Sequence, residues 1–365
     1  MLPFSKYQGL GNDFLMLDGR DSADPDPGFG LTPQRVRQLC DRRFGVGADG
    51  IILAIPPREG GELRMRIFNA DGSEPEMCGN GIRCLARFLA DSDGDLPGRR
   101  WEIETLAGRI VPELQPDSRV TVDMGPPFLE PAEVPTTLPI GADGIPQGIL
   151  EADGCAFPVG AAGMGNPHVV IPVEDLEAVD LNRYGAALEI HPSFPAKTNV
   201  HFVQVITPGH LVMRVWERGA GPTLACGTGA CAALVVCHRL GLAERQAQLE
   251  LPGGSLEISW DEDSGHLFMT GPAEAVFDGV VTPALWGEET SAPSSVTPTA
   301  EAFDCSSACT KGCQRPDDCP SAVSRARALE LINSRSLDDL VALATNSLES
   351  RTRARQVDDP LSPGS

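Results

Sequence analysis

A phrase built on Cys-Gly-x-Gly occurs twice in this chain, each time ahead of an apolar, helix-like run. One copy reads Asn69-Ala70-Asp71-Gly72-Ser73-Glu74-Pro75-Glu76-Met77-Cys78-Gly79-Asn80-Gly81-Ile82-Arg83-Cys84, the other Trp216-Glu217-Arg218-Gly219-Ala220-Gly221-Pro222-Thr223-Leu224-Ala225-Cys226-Gly227-Thr228-Gly229-Ala230-Cys231. Glycines let backbone approach a ligand closely, and the opening turn of a helix leaves N–H groups without partners. Anions and thiolates are stabilised at such junctions.

A thiol at a helix N-terminus feels the positive end of the peptide dipoles and ionises more readily. One thiolate facing one thiol across a substrate carbon removes a proton on one face while the other face receives one, which inverts the stereocentre. No metal or pyridoxal lysine is needed where backbone N–H groups hold the substrate carboxylate. Free cysteine is often just a small buried hydrophobe, a reading that suits Cys84, Cys231 and Cys237 inside their helices. Packing explains nothing about Cys78 and Cys226, each followed by Gly-polar-Gly at a helix start.

A second echo supports the first. Gly9-Leu10-Gly11-Asn12 recurs as Gly163-Met164-Gly165-Asn166, ahead of Pro167 and His168. Asparagine serves turns often, but the recurrence makes Asn12 and Asn166 ligand-facing candidates in a duplicated chain. Glu217 also stands nine residues before Cys226, as Asn69 does before Cys78.

Asn69 to Glu74 with Met77 to Gly81, and Glu217-Arg218-Gly219 with Ala225 to Gly229, resemble the two signatures of the diaminopimelate epimerases. That family interconverts LL- and meso-2,6-diaminopimelate without pyridoxal phosphate, and the likeness runs from Phe4 to about Pro283. The resemblance implies an α+β fold of two pseudo-symmetric domains, each a mostly antiparallel sheet curled around a central helix, with the active site in the cleft between them. It implies that Cys78 and Cys226 form the acid-base pair. Asn12, Asn69, Asn166, Asn199, Glu217 and Arg218 would grip the non-reacting end of the substrate and orient the reacting one. Within that set Glu217 takes an ammonium and Arg218 the distal carboxylate, while N–H groups near Gly79, Asn80, Gly227 and Thr228 hold the reacting carboxylate. No cofactor is implied, and a homodimer is compatible with the resemblance. Some family members carry a substrate-contacting glutamine where this chain has Gly50.

With 365 residues and 41% hydrophobic content the chain can bury two cores. A formal charge of -22 argues against nucleic acid or an anionic membrane as partner. No apolar run approaches a membrane span, and Met1 to Gly11 lacks the layout of a secretory signal. Eleven cysteines without small-scaffold spacing point to a reduced compartment, so a cytoplasmic enzyme is expected.

In chain order, Phe4 to Asp18 reads as two strands broken by a glycine turn. Thr32 and Pro33 open a helix buried through Val36, Leu39 and Cys40. Arg43 to Gly50 is a glycine-rich turn into the strand Ile51 to Ile55, without the ending of a P-loop. Strand Leu63 to Phe68 leads to Cys78, whose helix buries Ile82, Leu85, Phe88 and Leu89. Strands at 101–105, 109–114 and 119–124 close the first half at Gly125-Pro126-Pro127. Pro131 to Gly148 reads as irregular edge structure, followed by strands at 156–159, 168–173 and 211–216, a helix from Cys226 to Gly241, and strands at 248–251, 255–260, 267–270 and 274–281. His168 either polarises a carboxylate or satisfies a turn, and His191, His201, His210, His238 and His266 have no ligand-like spacing. A metal-free active site is expected.

The domain boundaries expected are 1–125 plus about 272–283 for the first half, 126–271 for the second, and 284–304 for a linker. An extension at 305–350 and a disordered end at 351–365 complete the chain. The extension carries Cys305, Cys309, Cys313 and Cys319 at spacings that are not the paired Cys-x2-Cys, so metal ligation and an unliganded redox-reactive tract both stay open. Pro320 to Asn333 and Ser336 to Ser350 read as a small helical pair that docks on the enzyme or on another protein.

Two rival functions remain. One is a two-thiol racemase for proline or hydroxyproline, which usually shows histidine where Asn80 stands and has no use for Glu217 and Arg218. The other is a thiol redox or metal-binding protein.

Overall fold

The structure is a computed structural model that describes residues 2–282 and 285. The linker, the cysteines at 305–319, the helical pair and the end expected to be disordered lie outside the described residues.

β1 (Leu2–Gly9) and β2 (Asn12–Asp18) form a hairpin whose turn residues Leu10 and Gly11 are left-handed, with φ of 58° and 83°. The turn delivers Asn12 to the strand start. α1 (Pro33–Cys40) begins as its sequence demands, with Thr32 Oγ1 accepting from the Arg35 N–H at 3.2 Å, and it buries Val36, Leu39 and Cys40. β3 (Gly50–Ile55) and β4 (Leu63–Asn69) lead to α2 (Gly79–Asp93), which stops at left-handed Gly94. Ile82, Leu85, Phe88 and Leu89 of α2 are wholly buried, each contributing roughly 1.5–3 kcal/mol of transfer free energy.

β5 (Ile103–Thr105), β6 (Gly108–Ile110), β7 (Glu113–Leu114) and β8 (Val120–Asp123) follow. The single strand expected at 109–114 is broken at Val111-Pro112, because proline has no N–H for the ladder. The break matters for topology. β6 stays with β5, whereas β7 and β8 hydrogen-bond into the other sheet through β17 while still packing against α2.

The second half contains β9 (Gln147–Ala152), β10 (Cys155–Gly163), β11 (Pro167–Val173), α3 (Leu181–Glu189), β12 (Asn199–Thr207), β13 (His210–Glu217) and β14 (Gly221–Thr223). It ends with α4 (Gly227–Arg239), β15 (Gln246–Leu251), β16 (Gly254–Trp260), β17 (Leu267–Gly271) and β18 (Glu274–Val281). Sequence reading missed β9 by extending the irregular stretch to Gly148. The hairpin signal was Asp153-Gly154, both at positive φ. It also missed α3, announced by Asp180, whose carboxylate accepts from the Arg183 N–H.

Seven strands in the order β18-β1-β2-β3-β4-β5-β6 make one sheet, and β7-β8-β17-β16-β15-β13-β12-β11-β10-β9 make the larger one, with β14 on β13. Most pairings are antiparallel; β2–β3, β4–β5, β11–β12 and β13–β15 are parallel. β18 returns to pair with β1, Leu2 opposite Val281, which ties the last described strand to the first. Each sheet curls round one helix, α2 or α4, and the fold is α+β as expected. Among the described residues, no helix is long and apolar enough to cross a membrane.

Candidate active site

Cys78 and Cys226 are the N-cap residues of α2 and α4, both with extended backbone. The two helix mouths open onto one cleft of about 620 Å³, lined among others by Asn12, Asn69, Asn166, Glu217 and the Cys-Gly-x stretch of each copy. Met269 of β17 sits between the mouths. A Cβ at Gly227 would lie 2.8 Å from Met269 Sδ and one at Gly79 3.1 Å from its methyl, so the glycines are what let both helix starts close on this side chain.

Cys78 Sγ accepts from the Gly81 N–H at 3.4 Å and lies 3.9 Å from Asn12 Oδ1. Asn12 Oδ1 also accepts from Asn80 Nδ2 at 3.2 Å, while Asn12 Nδ2 donates to Asp49 at 2.9 Å. Asp49 in turn receives Arg42 at 2.7 Å. The amide of Asn12 is therefore oriented, with its oxygen turned toward the thiol. Arg42 and Asp49 also line the cleft and were not singled out from sequence, where they sat inside an ordinary glycine-rich turn.

Cys226 Sγ lies 3.6 Å from Thr228 Oγ1. Burial pushes both thiols up. For Cys78, N–H donation from Gly81 and Asn80 and the charge of Arg83 oppose that rise, whereas the Glu217 carboxylate adds to it for both thiols. Burial likewise raises Glu217, whose Oε1 accepts from Thr223 Oγ1 at 2.6 Å.

Asn166 Oδ1 lies 2.7 Å from His168 Nε2, and His168 Nδ1 lies 2.8 Å from His201 Nε2. His201, set aside as an isolated histidine, belongs to a buried chain of hydrogen bonds ending at the cleft. Spacing hid this, because the parallel pairing of β11 with β12 is what brings the rings together.

Two expected site residues stand elsewhere. Asn199 is buried and braces backbone, donating to Pro167 O at 3.0 Å and accepting from the Arg218 N–H at 2.9 Å. Arg218 is exposed, with its guanidinium on Ala196 O at 3.0 Å, and neither residue lines the cleft. Asn69 lines it, with its amide on Ser73 Oγ. Among the described residues, no three His, Cys, Asp or Glu side chains cluster as a metal site would need. A Cβ at Gly50 would lie 2.5 Å from Phe68 O.

Comparison with known proteins agrees with the signatures. The sequence model of the family described as diaminopimelate epimerase matches residues 4–129 and 160–276. The diaminopimelate epimerase of Prochlorococcus marinus (strain MIT 9313) is 60% identical over 285 residues, covering 78% of this chain and 94% of that protein. That of Acaryochloris marina (strain MBIC 11017) is 55% identical over 279 residues, covering 76% and 97%. Among solved structures, a hydroxyproline epimerase from Agrobacterium vitis is 17% identical with a TM-score of 0.53, covering 79% of this chain and 97% of that one. The Bacillus anthracis phenazine biosynthesis protein of the PhzF family is 15% identical with a TM-score of 0.55, covering 77% and 99%. These two share the fold. With its family model matched over both copies of the cysteine phrase and relatives at this identity, the chain belongs to the diaminopimelate epimerase family.

Proposed function

We propose that this protein is a diaminopimelate epimerase, interconverting LL- and meso-2,6-diaminopimelate in lysine and cell-wall precursor biosynthesis. The observation that carries the reading is the opening of two cysteine-capped helices onto one cleft. In one direction the Cys78 thiolate takes the α-hydrogen as a proton from one face of the carbon. The electron pair left behind spreads toward the carboxylate, held by N–H groups near Gly79, Asn80, Gly227 and Thr228. The Cys226 thiol then gives its proton to the opposite face, and the reverse reaction exchanges the roles. Each N–H donor contributes on the order of 3 kcal/mol to the transition state.

Asn12, Asn69, Asn166 and Glu217 line the cleft and orient the substrate, Glu217 toward an ammonium. The exposed Arg218, next in sequence to Glu217, takes the distal carboxylate on swinging from Ala196 O, and Asn199 holds its backbone. No cofactor enters this scheme. The halves divide as 1–125 plus about 272–283 and 126–271, with 284–304 a linker and 305–350 an extension. A cytoplasmic setting keeps both thiols reduced; nucleic acid and membrane are not partners, and a homodimer is compatible.

The test is deuterium incorporation from solvent at the α carbon of LL-diaminopimelate under reducing conditions without added cofactor, in wild type, Cys78→Ser and Cys226→Ser. Exchange and epimerisation by wild type, with at least one severely impaired in each variant, is the expected result. A folded, reduced wild type that exchanges nothing would sink the assignment and make proline and hydroxyproline the next substrates to try.

A further inference from the structure

Phe14 stands two residues after Asn12 on β2, as His168 stands two after Asn166 on β11. In the parallel pairings Phe14 lies opposite Gly50 and His168 opposite Asn199, so Ile52, two residues along β3, matches His201, two along β12. The helices agree with this register. A Cβ at Gly81, three residues after Cys78, would lie 3.0 Å from Ile52 Cδ1, and one at Gly229, three after Cys226, 2.3 Å from His201 Cε1. The first half thus fills with phenylalanine and isoleucine the place that the second fills with two histidines, and all four side chains are buried. Burying polar groups costs free energy that their hydrogen bonds must offset, and the first half shows that apolar side chains suffice for packing here.

What the histidines add is a hold on one amide. His168 Nδ1 faces His201 Nε2 at 2.8 Å, and His168 Nε2 faces Asn166 Oδ1 at 2.7 Å. With His201 Nδ1 unpartnered among the described residues, the hydrogens run one way, from His201 to His168 and from His168 to the Asn166 oxygen. The two echoed asparagines are therefore held differently. Asn12 gives its Nδ2 to Asp49 and its oxygen to Asn80. Asn166 gives only its oxygen; among the described residues no partner meets its Nδ2, and the residue lines the cleft.

We infer that His168, braced by His201, is a positioning residue that holds the Asn166 oxygen, so that the Asn166 NH2 group is what this edge of the cleft offers to a substrate carboxylate. An NH2 group donates to a carboxylate oxygen and has nothing to accept from an ammonium. Glu217, an acceptor on the same cleft, suits the ammonium instead. On the epimerase reading, on which the identity of the carboxylate rests, the two helix mouths take the reacting carboxylate and leave the one at the non-reacting end for Asn166.

The test moves the first-half pair into the second half of the full-length reduced protein. The double variant His168→Phe with His201→Ile should fold with a urea midpoint at or above that of wild type, since it leaves no buried ring nitrogen unpaired. Its KM for LL-diaminopimelate should rise about fivefold, the cost of ordering one side chain on binding, while kcat changes less. Asn166→Ala should then raise KM by a smaller factor in the double variant than in wild type, because the amide has already lost its hold. A folded double variant with the wild-type KM overturns the inference, and so do equal factors for Asn166→Ala in the two backgrounds. Should the double variant not fold, nitrogen-15 spectra of the wild-type rings decide. Nε2–H on His168 is expected, and a bare Nε2 there, which would draw the Asn166 NH2 group onto itself, overturns the inference. A wild type with Nε2–H on His168 but no turnover of LL-diaminopimelate would refute the epimerase reading and leave the hold on Asn166 standing.

Discussion

His168 Nδ1 lies 2.8 Å from His201 Nε2, and both rings are wholly buried. Among the described residues His201 Nδ1 has no hydrogen-bond partner, so the neutral form that leaves this nitrogen bare of hydrogen is the less costly one. His201 Nε2–H then donates to His168, and His168 Nε2–H donates to Asn166 Oδ1, an assignment made from the network. The Asn166 oxygen is thereby engaged by His168 at the edge of the cleft that Asn166 lines. Replacing His201 by Phe should leave His168 Nδ1 unpaired at a cost of about 1–3 kcal/mol. Nitrogen-15 shifts of His168 should still report the Nε2–H tautomer, held by Asn166 Oδ1, and the cost should be read as a lower urea midpoint.

The same pair predicts acid sensitivity. Burial holds His168 well below the ordinary value and lowers His201 from 6.5 to about 3. Protonation therefore favours the unfolded chain. Stability from this source is complete above pH 6.5 and is lost as pH falls toward the folded values, by about 1.4 kcal/mol per pH unit for each ring. Urea midpoints should decline below pH 6.5, and the slope should flatten in His201→Phe.

Gly50 offers a steric prediction. Gly50→Ala should cost about 1–3 kcal/mol, since its Cβ would meet the Phe68 carbonyl at 2.5 Å in β4. Gly50→Gln should therefore fail to improve KM; a lower KM with unchanged thermal stability would count against this account.

Thr223 donates to Glu217 and so lowers a carboxyl that burial raises. Thr223→Val should move Glu217 further upward and carry the acid limb of kcat/KM to higher pH. An unmoved limb would mean that Glu217 does not titrate in the activity profile.

The family model ends at residue 276, and the matched part of this chain covers 94–97% of the two relatives' own length. A chain ended after Trp286 should retain kcat/KM and thermal stability. Loss of either would assign the extension a part in the enzyme.

Much of this protein is local and was legible in sequence. Thr32-Pro33 starts α1, the apolar spacing after Cys78 and Cys226 makes α2 and α4, and the echoed phrases mark the two cysteines that begin those helices at the cleft. Those signals depend on neighbours within a turn or two. The break at Pro112 was legible in principle, but the consequence, that β7 and β8 join the larger sheet, depends on β17, far along the chain. Only tertiary structure decided the rest. The His168–His201 pair exists because β11 lies parallel to β12, Asn199 braces a loop while the exposed Arg218 turns onto Ala196 O, and Arg83 is a buried cation because Met269 and the Pro272 turn close over it. Pairing across a sheet and burial of a charge are set by contacts distant in sequence, and residue type alone carries no record of them.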